Sequence, residues 1–169
     1  LAHVPLLLHG SPRRVATVGF GTGGTSRSML AHGAETWGIE IEPEVVAASR
    51  LFKDLNRGTL EDPRFHLVLD DARSYLQGTS QTFDVIVTDV TNLKYRSNAS
   101  LYTTDYFRAM ANRLTPGGIS AAWVPLGGLS FEDLRTLTAS FRAARPHTTV
   151  WFFSETMTHF LILVGTDGP

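Results

Sequence analysis

Cysteine is absent from the 169-residue chain, so the chain forms no disulfide and offers no thiolate nucleophile or cysteine ligand for zinc. This absence is typical of a reducing compartment, and we expect a cytoplasmic location. Long hydrophobic runs are also lacking: the longest apolar stretch near the start, residues 1–8, is interrupted by His3 and Pro5 and is too short to cross a bilayer. The six histidines show no one-turn helical pairing, so we expect no metal site.

An excess of charge of one sign is missing too. The chain has 15 basic and 16 acidic residues, a net charge of −1, which gives no electrostatic basis for binding nucleic acid or for direct contact with an anionic membrane. Hydrophobic residues make up 43% and charged residues 18%, the balance of a globular domain with a sizeable core. We expect residues 1–169 to be one domain. The start without methionine, as if within the end of a helix, suggests that it was excised from a longer protein.

Short β-rich apolar runs alternate with helical patterns along the chain, which predicts βαβ units and a parallel sheet. The predicted strands are Arg14–Val18, Thr36–Ile41, Phe65–Asp70, Phe83–Asp89, Gly118–Val124, Thr148–Phe153 and His159–Val164. The predicted helices are Gly24–Ala31, Glu44–Asp54, Thr104–Leu114 and Phe131–Ala144, the last with an N-terminal cap at Ser130. The last two strands are close enough in sequence to form a hairpin. We therefore expect a three-layer, doubly wound α/β fold with a seven-stranded, mostly parallel sheet that ends in an antiparallel hairpin, a Rossmann-like methyltransferase fold.

A glycine-rich segment follows the first predicted strand and opens the first predicted helix. Its residues are Gly19-Phe20-Gly21-Thr22-Gly23-Gly24. Glycines at this position allow a tight turn and let the backbone approach a ligand at the helix N-terminus. A phosphate-binding P-loop would need lysine where Thr25 stands, so that interpretation fails.

Acidic residues stand at the carboxyl ends of three successive predicted strands. Glu40, Asp71 and Asp89 would meet in the crevice at the carboxyl ends of the parallel strands, where such sheets bind ligands. Glu40 alone is compatible with a nicotinamide dehydrogenase. The three acids together favour an adenosyl ligand, with Glu40 at the ribose hydroxyls, Asp71 at the adenine amino group and Asp89 near the reacting centre.

Over almost its whole length the chain resembles the polyamine aminopropyltransferase (spermidine synthase) family. The segments that carry the resemblance are Glu40-Ile41-Glu42-Pro43, Asp70-Asp71-Ala72-Arg73, Phe83-Asp84-Val85-Ile86-Val87-Thr88-Asp89, Leu114-Thr115-Pro116-Gly117-Gly118 and Trp123-Val124-Pro125-Leu126. The last two, with Ser100-Leu101-Tyr102-Thr103, are similar to a bacterial branch in which the domain is fused to membrane-spanning segments. The resemblance implies polyamine biosynthesis and a possible homodimer.

The resemblance also implies a reaction and the residues that perform it. An amine attacks the methylene beside the sulfonium of decarboxylated S-adenosylmethionine and releases methylthioadenosine. Asp89 would hold and help to deprotonate the amine. The nucleoside would contact the residues Gly19, Gly21, Thr22, Gly23, Glu40, Ile41, Asp71 and Ala72. Asn92 and Tyr102 would contact the small-molecule amine.

Several positions depart from the family pattern. Thr22 stands where the family has an aspartate that holds the aminopropyl end, and Thr17 stands where most methyltransferases have an acid. Asn92 replaces a second acid, and it carries no charge with which to hold an ammonium group. Two alternatives therefore stay open: a small-molecule methyltransferase that uses intact S-adenosylmethionine, and a non-catalytic nucleoside-binding domain of a membrane protein.

Overall fold

The computed structural model describes residues 1–90, 93, 96–152 and 159–168, and the side chains of all of these except 96 and 97. The strands are β1 (Arg14–Val18), β2 (Glu35–Glu40), β3 (Phe65–Leu69), β4 (Phe83–Thr88), β5 (Leu114–Pro125), β6 (His147–Trp151) and β7 (Phe160–Thr166). The helices are α1 (His3–His9), α2 (Gly24–Ala31), α3 (Pro43–Ser49), α4 (Lys53–Asn56), α5 (Ala72–Gly78), α6 (Arg96–Ala99), α7 (Thr104–Ala111) and α8 (Phe131–Ala144). Three-residue 3₁₀ turns cover Arg50–Phe52, Thr59–Glu61 and Ser100–Tyr102.

The described strands form one seven-stranded sheet in the order β3-β2-β1-β4-β5-β7-β6. The first five strands in that order run parallel, and β7 pairs antiparallel with both β5 and β6. This confirms the predicted fold class. The order reverses between β1 and β4, and the crevice outside the carboxyl ends of these two strands is where open α/β sheets bind ligands.

Helices cover both faces of the sheet because its central strands are apolar on both sides. Val85 and Val87 of β4 pack in a cluster with Leu6 of α1 and Met29 of α2. Ile86 faces the opposite layer, whose cluster includes Phe107 of α7. Within the described part of the chain, no helix has the length and apolarity needed to cross a membrane.

Two predicted helices were wrong in their extent. The helix predicted over Thr104–Leu114 ends at Ala111, because Leu114 already pairs with Phe83 as the first residue of β5. Residues 115–117, which lie between that predicted helix and the predicted strand Gly118–Val124, are instead part of β5, where the register against β4 shifts. The helix predicted over Glu44–Asp54 is divided into α3, a 3₁₀ turn and α4.

The bounds of the other predicted helices and strands agree more closely with the structure. Strand β1 and helices α2 and α8 have the predicted bounds, and Ser130 and Asp133 form a reciprocal capping box at the start of α8. The remaining predicted strands are displaced by a few residues at their ends, and the predicted end of the sixth, Phe153, lies outside the described residues. Helix α5 was not predicted; it begins after Asp71, whose Oδ1 accepts a hydrogen bond from the Ser74 amide at 2.9 Å.

Candidate functional site

The glycine loop joins β1 to α2 at the point where the strand order reverses. Gly19 has φ +88°, and a Cβ atom there would lie 2.7 Å from the carbonyl oxygen of Asp89. Only glycine therefore allows the ends of β1 and β4 to approach so closely. The Gly19 amide donates to the Ile39 carbonyl at 2.9 Å, and the Asp89 amide donates to the Val18 carbonyl at 2.8 Å. The loop is thus held to the ends of both neighbouring strands.

The outer part of the loop faces solvent. Gly21 and Thr22 are exposed, whereas Gly23 is buried with φ +82° and precedes the first turn of α2. A Cβ atom on Gly21 would contact nothing within 4 Å, so there is free space outside the loop. Exposed loop backbone beside a helix N-terminus can approach a nucleoside, as the sequence predicts for Gly19, Gly21, Thr22 and Gly23.

Asn56 anchors this loop, and sequence reasoning missed it. The residue is only 4% exposed, and its Nδ2 donates to the carbonyls of Thr22 at 2.9 Å and Ser49 at 2.8 Å. Its Oδ1 accepts from the Gly58 amide at 3.1 Å. One amide group therefore connects the glycine loop to the α3–α4 segment. An isolated asparagine 34 positions from Thr22 gives no sequence signal for such a contact.

Glu40 ends β2 and is buried beside the glycine loop. Its Oε2 accepts from the Phe20 amide at 3.0 Å, and its Oε1 accepts from the amides of Ile41 and Glu42 at 2.9 and 3.1 Å. The carboxylate therefore braces the loop against the end of β2. A carboxylate offers about four lone-pair sites, so it retains capacity for a ribose hydroxyl.

Three of the predicted nucleoside contacts lie at the ends of β2 and β3. Ile41 is 56% exposed, an apolar surface next to the Glu40 carboxylate. Asp71 is partly buried and caps α5, and the buried Ala72 is the first residue of that helix. The capping bond is local. The adenine role of Asp71 and the nucleoside contact of Ala72 stay predictions.

Asp89 follows β4 directly and is partly buried. The Thr25 hydroxyl, in the first turn of α2, donates to Asp89 Oδ2 at 2.6 Å. Burial raises the pKa of Asp89, and the Thr25 hydrogen bond opposes that rise because it stabilises the ionised form. A carboxylate with a raised pKa at the edge of a ligand crevice is suited to accept a proton. Sequence reasoning used Thr25 only to exclude a P-loop.

Tyr102 is only 6% exposed, and its hydroxyl lies 2.6 Å from the Trp123 carbonyl and 3.1 Å from the Val90 carbonyl. Burial raises the pKa of Tyr102 well above its usual value, so the hydroxyl stays protonated. The tyrosine thus connects the carboxyl ends of β4 and β5. Its contact with an amine stays a prediction, and Asn92, the other predicted substrate contact, lies outside the described residues.

One of the departures from the family pattern, Thr17, lies in β1. Thr17 is buried, and its hydroxyl donates to the Gly19 carbonyl at 3.3 Å.

His3 lies on the surface with its Nδ1 2.8 Å from Nε2 of His32. Among the described residues, no three histidine or acidic side chains are grouped as a metal site would require.

Comparison with known proteins adds a family match. A family model described as the spermine/spermidine synthase domain matches residues 1–125. A polyamine aminopropyltransferase of Pectobacterium atrosepticum is 39% identical over 125 residues, which cover 72% of this chain and 43% of that protein. One from Shigella sonnei is 37% identical over 145 residues, 84% of this chain and 49% of that protein. The chain spans about half the length of the curated relatives that it matches.

Solved structures show the same architecture. A spermidine synthase in complex with the transition-state analogue AdoDATO superposes with a TM-score of 0.83 at 27% identity, over 99% of this chain and 59% of that one. Spermidine synthase from Thermotoga maritima gives a TM-score of 0.81 at 28% identity, over 99% and 58% of the two chains. Human methyltransferase-like protein 13 in complex with SAH superposes with a TM-score of 0.74 at 20% identity, over 98% of this chain and 76% of that one. At this identity the similarity is one of fold alone.

Proposed function

The chain belongs to the spermine/spermidine synthase family, and on this premise we propose that it transfers an aminopropyl group from decarboxylated S-adenosylmethionine to a small-molecule amine in polyamine biosynthesis. The single observation that carries the proposal is Asp89, a partly buried carboxylate beside the glycine loop at the point where the strand order reverses. A general base and an adenosyl ligand site meet there.

The proposed step needs few groups. The amine nitrogen forms a bond to the methylene carbon, the carbon–sulfur bond breaks, and its electron pair neutralises the sulfonium as methylthioadenosine leaves. The nitrogen loses one proton, which Asp89 accepts. A free amine with a pKa of about 10 is protonated at neutral pH, so the nitrogen must pass a proton to an acceptor before it can attack.

The nucleoside is proposed to lie across the carboxyl ends of β1, β2 and β3. Glu40 would accept hydrogen bonds from the ribose hydroxyls, Ile41 would pack against the base, and Asp71 and the Ala72 amide would bind its polar edge. The exposed glycine loop would pass along the aminopropyl side. Thr22 can offer that cationic group a hydroxyl but no charge.

The test is product identity. The full-length protein is incubated with decarboxylated or intact S-adenosylmethionine and an amine, and the nucleoside product is identified by mass spectrometry. We expect methylthioadenosine from the decarboxylated form, and no turnover by Asp89→Asn with nucleoside affinity within a few-fold of the parent. S-adenosylhomocysteine as the product would establish methyl transfer instead. Nucleoside binding without turnover would favour the non-catalytic domain.

The remaining parts of the proposal rest on the family resemblance. We propose that residues 1–169 form one catalytic domain of a longer chain, that the parent protein carries membrane-spanning segments, and that the domain works in the cytoplasm as a homodimer. Size-exclusion chromatography with light scattering on the full-length protein, extracted with and without detergent, tests the assembly and the membrane attachment together.

A further inference from the structure

An exposed apolar ridge runs along the segment that joins β2 to β3. Helix α3, the 3₁₀ turn after it and α4 follow one another without a gap from residue 43 to residue 56. Leu51, in the turn, is 84% exposed, and Phe52 and Leu55 are exposed beside it. Ala47 and Ala48 are exposed one helical turn earlier. We call these five residues the α3–α4 ridge.

The ridge is the outer face of a segment whose inner face is already buried. Val46 packs on the cluster between the segment and the sheet, and Ser49 and Asn56 are buried on the same side. The inner face therefore satisfies the packing of the segment against its own domain. A helical segment on a protein surface normally turns polar side chains outward, so an apolar outer face marks an interaction surface.

Charges of opposite sign lie at the two ends of the ridge. Glu42 and Glu44 are exposed at its start. Lys53 and Arg57 are exposed at its end, where Asp54 reduces the net charge to +1. Within the described part of the chain, none of these five residues forms a salt bridge. Their charges are therefore available to a partner.

A surface with this order of charges is complementary to itself. A two-fold axis perpendicular to the ridge would place the acidic end of each copy beside the basic end of the other. Arg50, near the middle, brings no unpaired charge to the axis because its guanidinium pairs with Glu61 at 3.0 Å. An anionic membrane surface fits less well, because it would repel Glu42 and Glu44.

We propose that a second copy of the chain docks on the α3–α4 ridge in an antiparallel, two-fold symmetric arrangement. A register centred between residues 49 and 50 would place Ala48 of one copy beside Leu51 of the other, and Ala47 beside Phe52. Small side chains would then face large ones, so that the two ridges interdigitate. The inference rests on the homodimer of the proposed function, for which it names the surface, and it is independent of the reaction.

The first test removes apolar surface from the ridge with Leu51→Ser in the full-length protein. Light scattering over a range of protein concentrations measures the dissociation constant of the dimer. We expect it to rise by at least about tenfold, since a leucine is uncovered in each copy. Because the side chain is 84% exposed, the fold should persist, and thermal unfolding verifies this.

The matched control is Leu7→Ser, at a leucine of α1 that is 69% exposed and lies outside the ridge. Its dissociation constant should stay within about twofold of that of the parent protein. An unchanged dissociation constant in Leu51→Ser, or an equal rise in both variants, would overturn the inference.

The second test identifies the occupant of the ridge as another copy of the chain. One variant carries Glu42→Lys and Glu44→Lys, and the other carries Lys53→Glu and Arg57→Glu. Each variant alone brings like charges together across the two-fold axis, so it should dimerise at least about tenfold more weakly than the parent. In an equal mixture the two variants present opposite charges to each other at both ends of the ridge.

Differently tagged copies of the two charge variants should therefore co-purify as a heterodimer. A lipid surface, or another part of the same chain folded over the ridge, would not give this rescue, so its absence would overturn the inference. A parent protein that is monomeric at every concentration would overturn the homodimer as well. Neither result bears on aminopropyl transfer, which product identity tests separately.

Discussion

The Thr25 hydroxyl donates a 2.6 Å hydrogen bond to Oδ2 of Asp89, across the gap between the first turn of α2 and the end of β4. Because burial raises the pKa of Asp89, this bond is the main local contact that favours the ionised carboxylate. It also fixes one carboxylate oxygen, Oδ2, against the first turn of α2.

Replacement of Thr25 by valine should therefore raise the pKa of Asp89 further. If Asp89 is the base, we expect kcat to fall by about tenfold or more, with the largest loss at low pH, because more of Asp89 is then protonated. The acidic limb of the pH–kcat profile should move to higher pH. Thr25→Ser keeps the hydroxyl and should behave like the parent. Equal, pH-independent losses in both variants would contradict this positioning role.

Asp89→Asn should stabilise the fold at neutral pH while it removes activity. A carboxyl whose pKa is raised in the folded state binds more protons folded than unfolded, so its ionisation destabilises the fold. That penalty is absent below the ordinary pKa of 3.8 and complete above the raised value. We expect the Asp89→Asn substitution to increase Tm at pH 7 by a few degrees, the effect of about 1 kcal/mol in a domain of this size, and to leave Tm unchanged at pH values below the ordinary pKa.

Thermal unfolding followed by circular dichroism, from acidic pH to slightly above neutral pH, measures this difference. Thr25→Val serves as the comparison, since it removes the hydrogen bond but keeps the charge and should lower Tm at neutral pH. A Tm for Asp89→Asn below that of the parent at pH 7 would mean that the Thr25 bond outweighs the cost of burying the charge.

Asn56→Ala should loosen the glycine loop. The substitution leaves the Thr22 carbonyl, the Ser49 carbonyl and the Gly58 amide without the side-chain partner that each now has. Each buried group left without a partner lowers the free energy of unfolding by about 1–3 kcal/mol. Water that enters and bonds to the group reduces this loss. We expect a loss of at least about 2 kcal/mol in the free energy of unfolding, together with weaker nucleoside binding.

The matched control is Asn112→Ala, at the end of α7, where we expect a change within about 0.5 kcal/mol. Urea unfolding measures both free energies, and calorimetry with methylthioadenosine measures the binding. Destabilisation by Asn56→Ala with unchanged nucleoside affinity would show that the loop conformation does not depend on this anchor.

Gly19 could be predicted from the sequence as part of the site, whereas the contact made by Asn56 could not. The glycine loop was predictable because strand, turn and helix are contiguous and because a turn against a neighbouring strand needs glycine. The core strands were predictable for a similar reason: a run such as Phe83–Thr88 is apolar enough to be buried on both faces. Each of these signals is local.

The contacts that brace the site are not local. Thr25 reaches Asp89 across 64 positions and Asn56 reaches Thr22 across 34, and neither pair follows a spacing rule. Glu40 was predicted as a ribose ligand, yet its role as a brace for three backbone amides depends on how the loop folds back over β2. Side chains that satisfy a loop's backbone groups are found only once the loop conformation is known.

Glu40 can bind the ribose, brace the glycine loop, or do both. Combining a substitution at Glu40 with changes in the ligand separates these roles. If Glu40 binds the ribose, Glu40→Ala should weaken methylthioadenosine binding by roughly 1.5–3 kcal/mol, about 10- to 150-fold. Loss of the brace to Phe20, Ile41 and Glu42 could weaken binding as well, so affinity alone does not decide. The exposed neighbour Glu42 offers the control Glu42→Ala, which should change affinity by less than about twofold.

The decisive measurement uses 2′-deoxy and 3′-deoxy methylthioadenosine. If Glu40 holds the ribose hydroxyls, the parent protein should bind at least one deoxy analogue about tenfold or more weakly than the complete nucleoside. The Glu40→Ala variant should bind that analogue and the complete nucleoside with nearly equal affinity. A coupling free energy of this kind arises only between groups that interact. If the deoxy penalty persists in Glu40→Ala, the carboxylate acts only as a brace for the loop, and the ribose must be bound by other groups.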